Sequence, residues 1–334
     1  MTPTIVASQA VAAPQTIVEP QAAPQAQPKV VHPDEGHVMQ AFGDTVRAIV
    51  TAEDTNGQLF VGEGTGQPQG GPPLHVHTHE DELFIIQQGV FEFTVAGAVT
   101  QAGPGTVVYG PRHIPHTWRV VSEEPGLTYV LTMPGSFGRF FERCAEQFVN
   151  GAPDMAEIGR ISDEHGIIFL SPEQAAAYSL VEEATARPKI VRADEGVRTA
   201  FPGERARMII SSEDTNGQFT LGEVEVDPDC GPPPHVHTRE DETFFVQSGR
   251  IEYWIDGKRI EAGPGTVVFA PRNIPHAFRG ISDEPARALV MITPGGFEQF
   301  FKRYAELRST EQADLQQIVA LAAEYGLSFL PPAQ

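Results

Sequence analysis

The chain is expected to fold as two tandem domains dominated by β-structure, each a barrel or sandwich of short antiparallel strands closed by short helices at its C-terminal end. Three observations predict this. The second half of the 334-residue chain repeats the first at a constant offset of 160 residues. Short β-prone runs alternate with Gly, Pro, Asn and Asp turn signals throughout both copies. The hydrophobic period then changes from two to about 3.6 only near the end of each copy.

The repeat starts at Lys29, answered by Lys189, and its register never slips. Asp34-Glu35-Gly36 answers Asp194-Glu195-Gly196, Glu53 to Gln58 answers Glu213 to Gln218, and Phe169-Leu170 answers Phe329-Leu330. The expected division is a tail at 1–28, a first domain at 29–174, a linker at 175–188 and a second domain at 189–334. The tail is rich in Ala, Pro, Gln and Val with almost no charge, so it is expected to be disordered, in preference to an arm laying Ile17 and Val18 along a barrel.

Asp and Glu number 44 against 23 Lys and Arg, a net charge of −21. That excess repels phosphate backbones and anionic bilayers, so neither nucleic acid nor a membrane surface is an expected partner. No apolar run is long enough to span a bilayer and no secretory signal opens the chain, so a cytoplasmic protein is expected. Of the two cysteines, Cys144 answers Tyr304 and Cys230 answers Gly70, so neither belongs to a repeated site and no disulfide is implied.

Taken in order, Asn56-Gly57 predicts a hairpin joining strands at 45–52 and 59–62. Further strands are expected at 83–87, 91–95, 106–109, 117–121 and 127–132, with counterparts 160 residues on. Phe137, Phe140, Phe141, Cys144 and Phe148 then share one helical face, as do Phe297, Phe300, Phe301, Tyr304 and Leu307. A second helix in each half is expected to end at Gly166 or Gly326 as a left-handed cap.

The chemistry concentrates in His75-Val76-His77-Thr78-His79-Glu80-Asp81-Glu82 and its copy His235-Val236-His237-Thr238-Arg239-Glu240-Asp241-Glu242. Residues i and i+2 of a strand share a face, so His75 with His77, and His235 with His237, aim at one point. A third imidazole comes from His116 or His276, where a strand leaves the turn 111–115 or 271–275. A lone histidine in a strand is more often a hydrogen-bonded polar residue than a ligand, and only the recurrence of all three in both halves makes metal binding the better reading. An acid completes the set, but Glu80, Asp81 and Glu82 all recur, so repetition does not choose among them. His79, His113 and His165 answer Arg239, Asn273 and Tyr325, which argues against a shared ligand role.

Apolar side chains cluster near these histidines: Phe84, Phe91, Phe93, Tyr109, Trp118 and Met133 in the first half, and Phe244, Phe245, Tyr253, Trp254, Phe269, Phe278 and Met291 in the second. Strand alternation points about half of them inward. Such a wall beside an open metal suits a flat, apolar substrate.

The two histidine motifs resemble those of the cupin superfamily. The resemblance implies a jelly-roll β-barrel with the ligands inside, and its spacing selects Glu82 and Glu242. The implied ligand sets are His75, His77, Glu82 and His116, and His235, His237, Glu242 and His276. Each would hold one divalent transition metal, iron, manganese, nickel, cobalt or copper. His113 and Asn273 stand where the family has glycine, and both residue types accept a left-handed turn.

The hairpin Asp214 to Phe219 and the segment Pro294 to Phe301 are similar to the bicupin quercetin dioxygenases, and the likeness covers both barrels but not the tail. It implies opening of a flavonol ring by dioxygen with loss of carbon monoxide, and Glu82 and Glu242 as the acids placed to accept a substrate proton. Implied partners are a phenolic aromatic and dioxygen, and a homodimer is a separate expectation that the resemblance does not supply. The alternatives are a tailoring oxygenase, cyclase or isomerase on an aromatic polyketide, and a metal-stabilised binding protein without turnover. Trp118, where the second half has Phe278, favours the first barrel as the working one; Trp254, answering Thr94, is the counter-argument.

Overall fold

The computed structural model describes residues 25–149, 151–178, 186–201, 203–309 and 314–331. Most of the expected tail, with Ile17 and Val18, lies outside them, as does 179–185 of the expected linker. Residues 175–178, at the start of that expected linker, belong to the helix Pro172–Tyr178. Its signal was in the sequence, because Ser171 and Gln174 close a reciprocal capping box around Pro172 as first helical residue.

Each half is a pair of antiparallel sheets, seven strands facing five. In the first half the larger sheet runs 189–191, 107–110, 81–88, 126–133, 60–66, 44–50, 37–41, and the smaller runs 167–169, 75–77, 116–120, 91–95, 98–102. The second half repeats both orders. The expected strands at 83–87, 91–95, 106–109, 117–121 and 127–132 are all present within two residues. The hairpin at Asn56-Gly57 also forms, with Asn56 at φ 53° and Gly57 at φ 82°. Its loop is longer than a two-residue turn, because Gly57 N–H bonds back to Ala52 O and Thr55 Oγ1 bonds Leu59 O, folding the segment on itself before the strand resumes at Phe60.

The first strands are exchanged between the halves. Lys29–Val31 pairs with Val267–Phe269 of the second half, and Lys189–Val191 pairs with Val107–Tyr109 of the first. The segments 29–174 and 189–334 therefore do not coincide with the two barrels, each of which borrows a strand. A repeat locates copies along the chain and carries no information on which copy a strand pairs with.

Strand alternation divides the buried side chains into two populations. Leu83, Tyr109, Tyr129, Phe219, Phe245 and Phe269 face away from their own barrel interiors and join one core between the two large sheets. Tyr109 packs edge-on to Phe219 at 5.5 Å, and Tyr129 meets Phe245 at 5.1 Å. Of the aromatic wall expected from sequence, Tyr109, Met133, Phe245, Phe269 and Met291 thus belong to the contact between barrels rather than to a pocket.

Paired clamps flank that core. Asp81 accepts from Tyr109 Oη at 2.9 Å and from Arg112 Nε at 2.8 Å, while Arg112 reaches Gln218 Oε1 across the halves at 2.7 Å. Arg272 repeats this with Asp241 at 2.9 Å and Gln58 at 3.0 Å. The long helices Phe137–Phe148 and Glu298–Ser309 then cover one end of each barrel, as their apolar faces required. Gly166 and Gly326 follow the next helices at φ 70° and 73°. No helix among the described residues is long and apolar enough to cross a membrane.

Candidate metal centres

The approach to each His-x-His strand depends on a glycine. A Cβ on Gly71 would lie 1.9 Å from the backbone oxygen of Trp118, and one on Gly231 would lie 2.0 Å from that of Phe278. Only glycine lets the chain pass so close to its neighbour before the prolines, two after Gly71 and three after Gly231, extend it into the strand. The strands His75–His77 and His235–His237 follow, and His116 and His276 sit directly across from His75 and His235. The turn ahead of each third histidine is held by His113 and Asn273, both at φ 65°, the left-handed conformation expected of them.

Two buried sets of three histidines and one glutamate result: His75, His77, Glu82, His116 and His235, His237, Glu242, His276. Within each set one donor atom per residue lies within 4.8 Å of all the others. The structure also separates the three candidate acids. Glu82 shares the inward face with Phe84 and meets His116, whereas Asp81 faces the other barrel in the Arg112 clamp. Glu80 stands behind His77, 3.6 Å from Nδ1, and is hydrogen-bonded by Ser136. His79 is exposed and lies outside the set.

The donor set fits a metal ion. Nδ1 of His75 and of His116 each lies 2.8 Å from a backbone oxygen, of Pro73 and Ile114, and the second set repeats this at 2.8 and 3.0 Å with Pro233 and Ile274. A carbonyl only accepts, so Nδ1 carries the hydrogen and Nε2 keeps its lone pair. Nε2 of His116 is then 2.9 Å from Glu82 Oε2, and His276 is 2.8 Å from Glu242 Oε2. Two acceptors at that separation require a cation or a proton between them. Nε2 of His77 is buried without any hydrogen-bond partner, 3.6 Å from the same carboxylate.

Electrostatics keep the carboxylates ionised. With a proton in the cation's place between Glu82 and His116, burial pushes Glu82 up, but the His116 hydrogen bond and the positive charge this brings to the imidazole cluster more than offset it, leaving the group at about 2. Glu242 reaches about 2 in the same way, with His237 the leading charge against burial. Burial and the neighbouring imidazoles hold His75 well below its usual range and bring His235 down to about 3, so both present lone pairs.

In front of the first centre lies a cavity of about 280 Å³, bounded by His75, His77, Glu82, Phe84, Trp118 and Phe137 and reaching outward to Phe42, Met155 and Phe169. Three glycines, at 62, 64 and 66, stand on one strand facing the interior, and Trp118 lies over Gly66, where a Cβ would approach the indole to 3.0 Å. This spacing of Gly at i, i+2 and i+4 is the sequence signal that could have located the cavity. Trp254, by contrast, faces outward, with the Arg279 guanidinium 5.3 Å from its ring centre, and so walls no pocket. Cys144 and Cys230 are free thiols; burial pushes Cys144 up to about 12.

Comparison with known proteins agrees with this architecture. A family model described as a cupin domain matches residues 63–132 and 222–292. The chain is 25% identical over 275 residues to the quercetin 2,3-dioxygenase of Bacillus subtilis, covering 78% of this chain and 81% of that protein. A shorter match, 34% over 61 residues, is to an uncharacterized protein of Streptomyces coelicolor, covering 18% of this chain and 54% of that one. Among solved structures, the oxalate decarboxylase of Bacillus subtilis superposes with a TM-score of 0.57 at 17% identity, covering 94% of this chain and 90% of that one. That of Lactobacillus farciminis gives 0.56 at 13%, covering 89% and 95%. These last two establish likeness of fold.

Proposed function

From the premise that this chain is built of two cupin domains, each with a buried three-histidine, one-glutamate metal site, we propose that it is a dioxygenase that opens the central ring of a flavonol with loss of carbon monoxide. The first barrel is the working one. The observation that carries this is the cavity: about 280 Å³, walled by Phe84, Trp118, Phe137 and Phe140, with the first ligand set at its floor. Its volume and aromatic lining suit a flat multi-ring phenol. A small dicarboxylate would need a cation to pair its free carboxylate, and among the described residues no Lys or Arg lines this cavity.

A divalent metal held by His75, His77, His116 and Glu82 supplies Lewis acidity that makes a substrate hydroxyl easier to deprotonate. Glu82 is the carboxylate placed to accept that proton, at the floor of the cavity and next to His116. Phe84, Trp118 and Phe137 hold the ring plane and exclude water from the reacting end. Glu242 has the corresponding histidine neighbours in the second barrel, and a homodimer belongs to this reading as well.

The test is oxygen uptake by metal-replete protein with a flavonol panel and, separately, an aromatic polyketide panel, with gas-phase detection of carbon monoxide. Stoichiometric carbon monoxide from a flavonol is the expected result. Oxygen uptake without it would point to a tailoring oxygenase, and tight binding without uptake to a non-catalytic binder.

A further inference from the structure

The covering helix of each barrel begins against one buried carboxylate, but the carboxylate differs. In the first barrel it is Glu80, which belongs to the metal motif and is 1% exposed. Ser136 stands at the N-cap of the helix Phe137–Phe148, where a serine ordinarily accepts a hydrogen bond from the first turn. Its hydroxyl caps nothing there and is donated to Glu80 Oε1 instead. In the second barrel the carboxylate is Glu298, the first residue of the helix Glu298–Ser309. One Glu298 oxygen accepts from the Ser212 backbone N–H at 3.1 Å and from the Ser212 hydroxyl, and the other accepts from Thr220 Oγ1 at 2.7 Å and the Gly296 N–H at 2.9 Å.

Neither anchor has its counterpart in the other half. Gly138, Ala52 and Phe60 stand where the second half has Glu298, Ser212 and Thr220, and a Cβ on Gly138 would lie 2.7 Å from the Phe60 ring. Gly296 stands where the first half has Ser136, so Glu240 receives no hydroxyl from that position. The Glu80 anchor also leads to the metal centre. Of the first ligand set, His75 and His116 fix their Nδ1 hydrogens on the carbonyls of Pro73 and Ile114, whereas Nδ1 of His77 has no such carbonyl. Glu80 Oε2 lies 3.6 Å from it, and both atoms are buried without a hydrogen-bond partner. A buried carboxylate oxygen and a buried ring nitrogen this close satisfy each other only when Nδ1 carries the hydrogen, which leaves Nε2 for a metal.

We propose that Glu80 is a positioning residue that couples metal binding at the first centre to the order of the helix covering it. One oxygen holds the Nδ1 hydrogen of His77 and the other holds the Ser136 hydroxyl, so a filled centre fixes the start of Phe137–Phe148 and with it Phe137 and Phe140, which wall the cavity. The helix of the second barrel is held by Glu298 on its own strands and is indifferent to its metal. Ring contacts, Phe137 with His77 at 5.5 Å and Phe297 with His237 at 4.5 Å, occur in both barrels and do not distinguish them. The hydrogen-bonded link from ligand to helix does. It rests on the metal centres and is independent of the identity of the substrate.

The test is hydrogen exchange in the full-length protein, loaded with cobalt(II) at both centres and again after a chelator has removed it. Removing cobalt should speed exchange across Phe137–Phe148 about tenfold, the worth of one hydrogen bond to a charged group, and leave Glu298–Ser309 within about twofold. Ser136→Ala should cancel the difference, its first helix exchanging in the loaded protein as fast as in metal-free wild type, and Glu80→Gln should act in the same way. Ser136→Thr, which keeps the hydroxyl, should restore the response. By reciprocity Ser136→Ala should also weaken cobalt at one centre and spare the other. Equal acceleration of exchange by Ser136→Ala with and without cobalt, or unchanged cobalt affinity at both centres, would mark the hydrogen bond as structural only and overturn the coupling. A wild type whose two helices respond alike to cobalt overturns it without any variant. None of these results bears on the flavonol reading.

Discussion

The two barrels carry the same ligands in nearly the same geometry but differ in what stands in front of them. In the first, the interior face of Phe60–Gly66 has glycine at 62, 64 and 66, and the buried side chains fall into two separate clusters with the cavity between them. In the second, the matching strand Thr220–Val226 has Val224 and Val226 where Gly64 and Gly66 stood, and Val226 is fully buried. The core there is continuous, from Phe244 and Tyr253 in the barrel through Val226 to Phe297 and Phe300 on the covering helix. Phe297 lies 4.5 Å from the His237 ring, against 5.5 Å between Phe137 and His77. Duplication preserved the ligand set in both copies, while a few positions on one strand distinguish a barrel whose glycines border a cavity from one whose valines join a continuous apolar cluster.

The largest expected effect breaks the comparison outright. His75→Ala with His77→Ala should lower oxygen uptake at least ~100-fold, whereas His235→Ala with His237→Ala should leave it within a few fold. Elemental analysis should give two metals per chain in wild type and one in each double variant. Loss of uptake from the second pair alone would exchange the roles assigned to the barrels.

The exchanged strands predict an asymmetric truncation. Removing 1–24 should leave the thermal midpoint unchanged, while extending the deletion through Val31 strips a strand from the second barrel. The buried Val31 and its sheet hydrogen bonds make that a loss of about 3 kcal/mol. Hydrogen exchange should report it in Val267–Ala270, the strand that loses its partner.

Gly64→Val makes the first barrel resemble the second. A Cβ at Gly64 meets nothing closer than Val130 at 3.6 Å, so the side chain enters the cavity without displacing backbone. Metal content should hold and the thermal midpoint should rise slightly, because glycine is replaced by a strand-forming residue. Flavonol affinity should fall about tenfold. Unchanged affinity in a variant that keeps its metal would place the substrate elsewhere.

The smallest effect concerns Glu204, which answers Asp44 in the second barrel and is pushed by burial from 4.5 up to about 7. A carboxyl that binds its proton more tightly when folded costs stability as pH rises from about 4.5 to about 7, and the cost stays above that. Glu204→Gln should flatten this part of the stability profile and raise stability at pH 8 by about 1 kcal/mol, allowing for solvent screening. A profile parallel to wild type would show that Glu204 is solvated.

The sequence by itself determined the duplication, the strand positions and the chemical class of both sites. It did so because these are local: His-x-His alternation, turn glycines and helical periodicity act over a few residues, and the 160-residue copy tests each of them twice. The His75, His77 and His116 set was legible for that reason, whereas the left-handed turn at His113 came from the family likeness. The choice of Glu82 over Asp81 needed the family likeness, since adjacent acids differ only in which sheet face they occupy. Only the tertiary structure decided that Tyr109 and Phe245 join the barrels to each other, that Trp254 faces outward under Arg279, and that Lys29–Val31 completes the other half's sheet. Each of these depends on contacts between residues far apart in the chain. A strand with two possible partner sheets of near-identical sequence carries nothing within itself to say which one it joins; that is set by the packing of the whole.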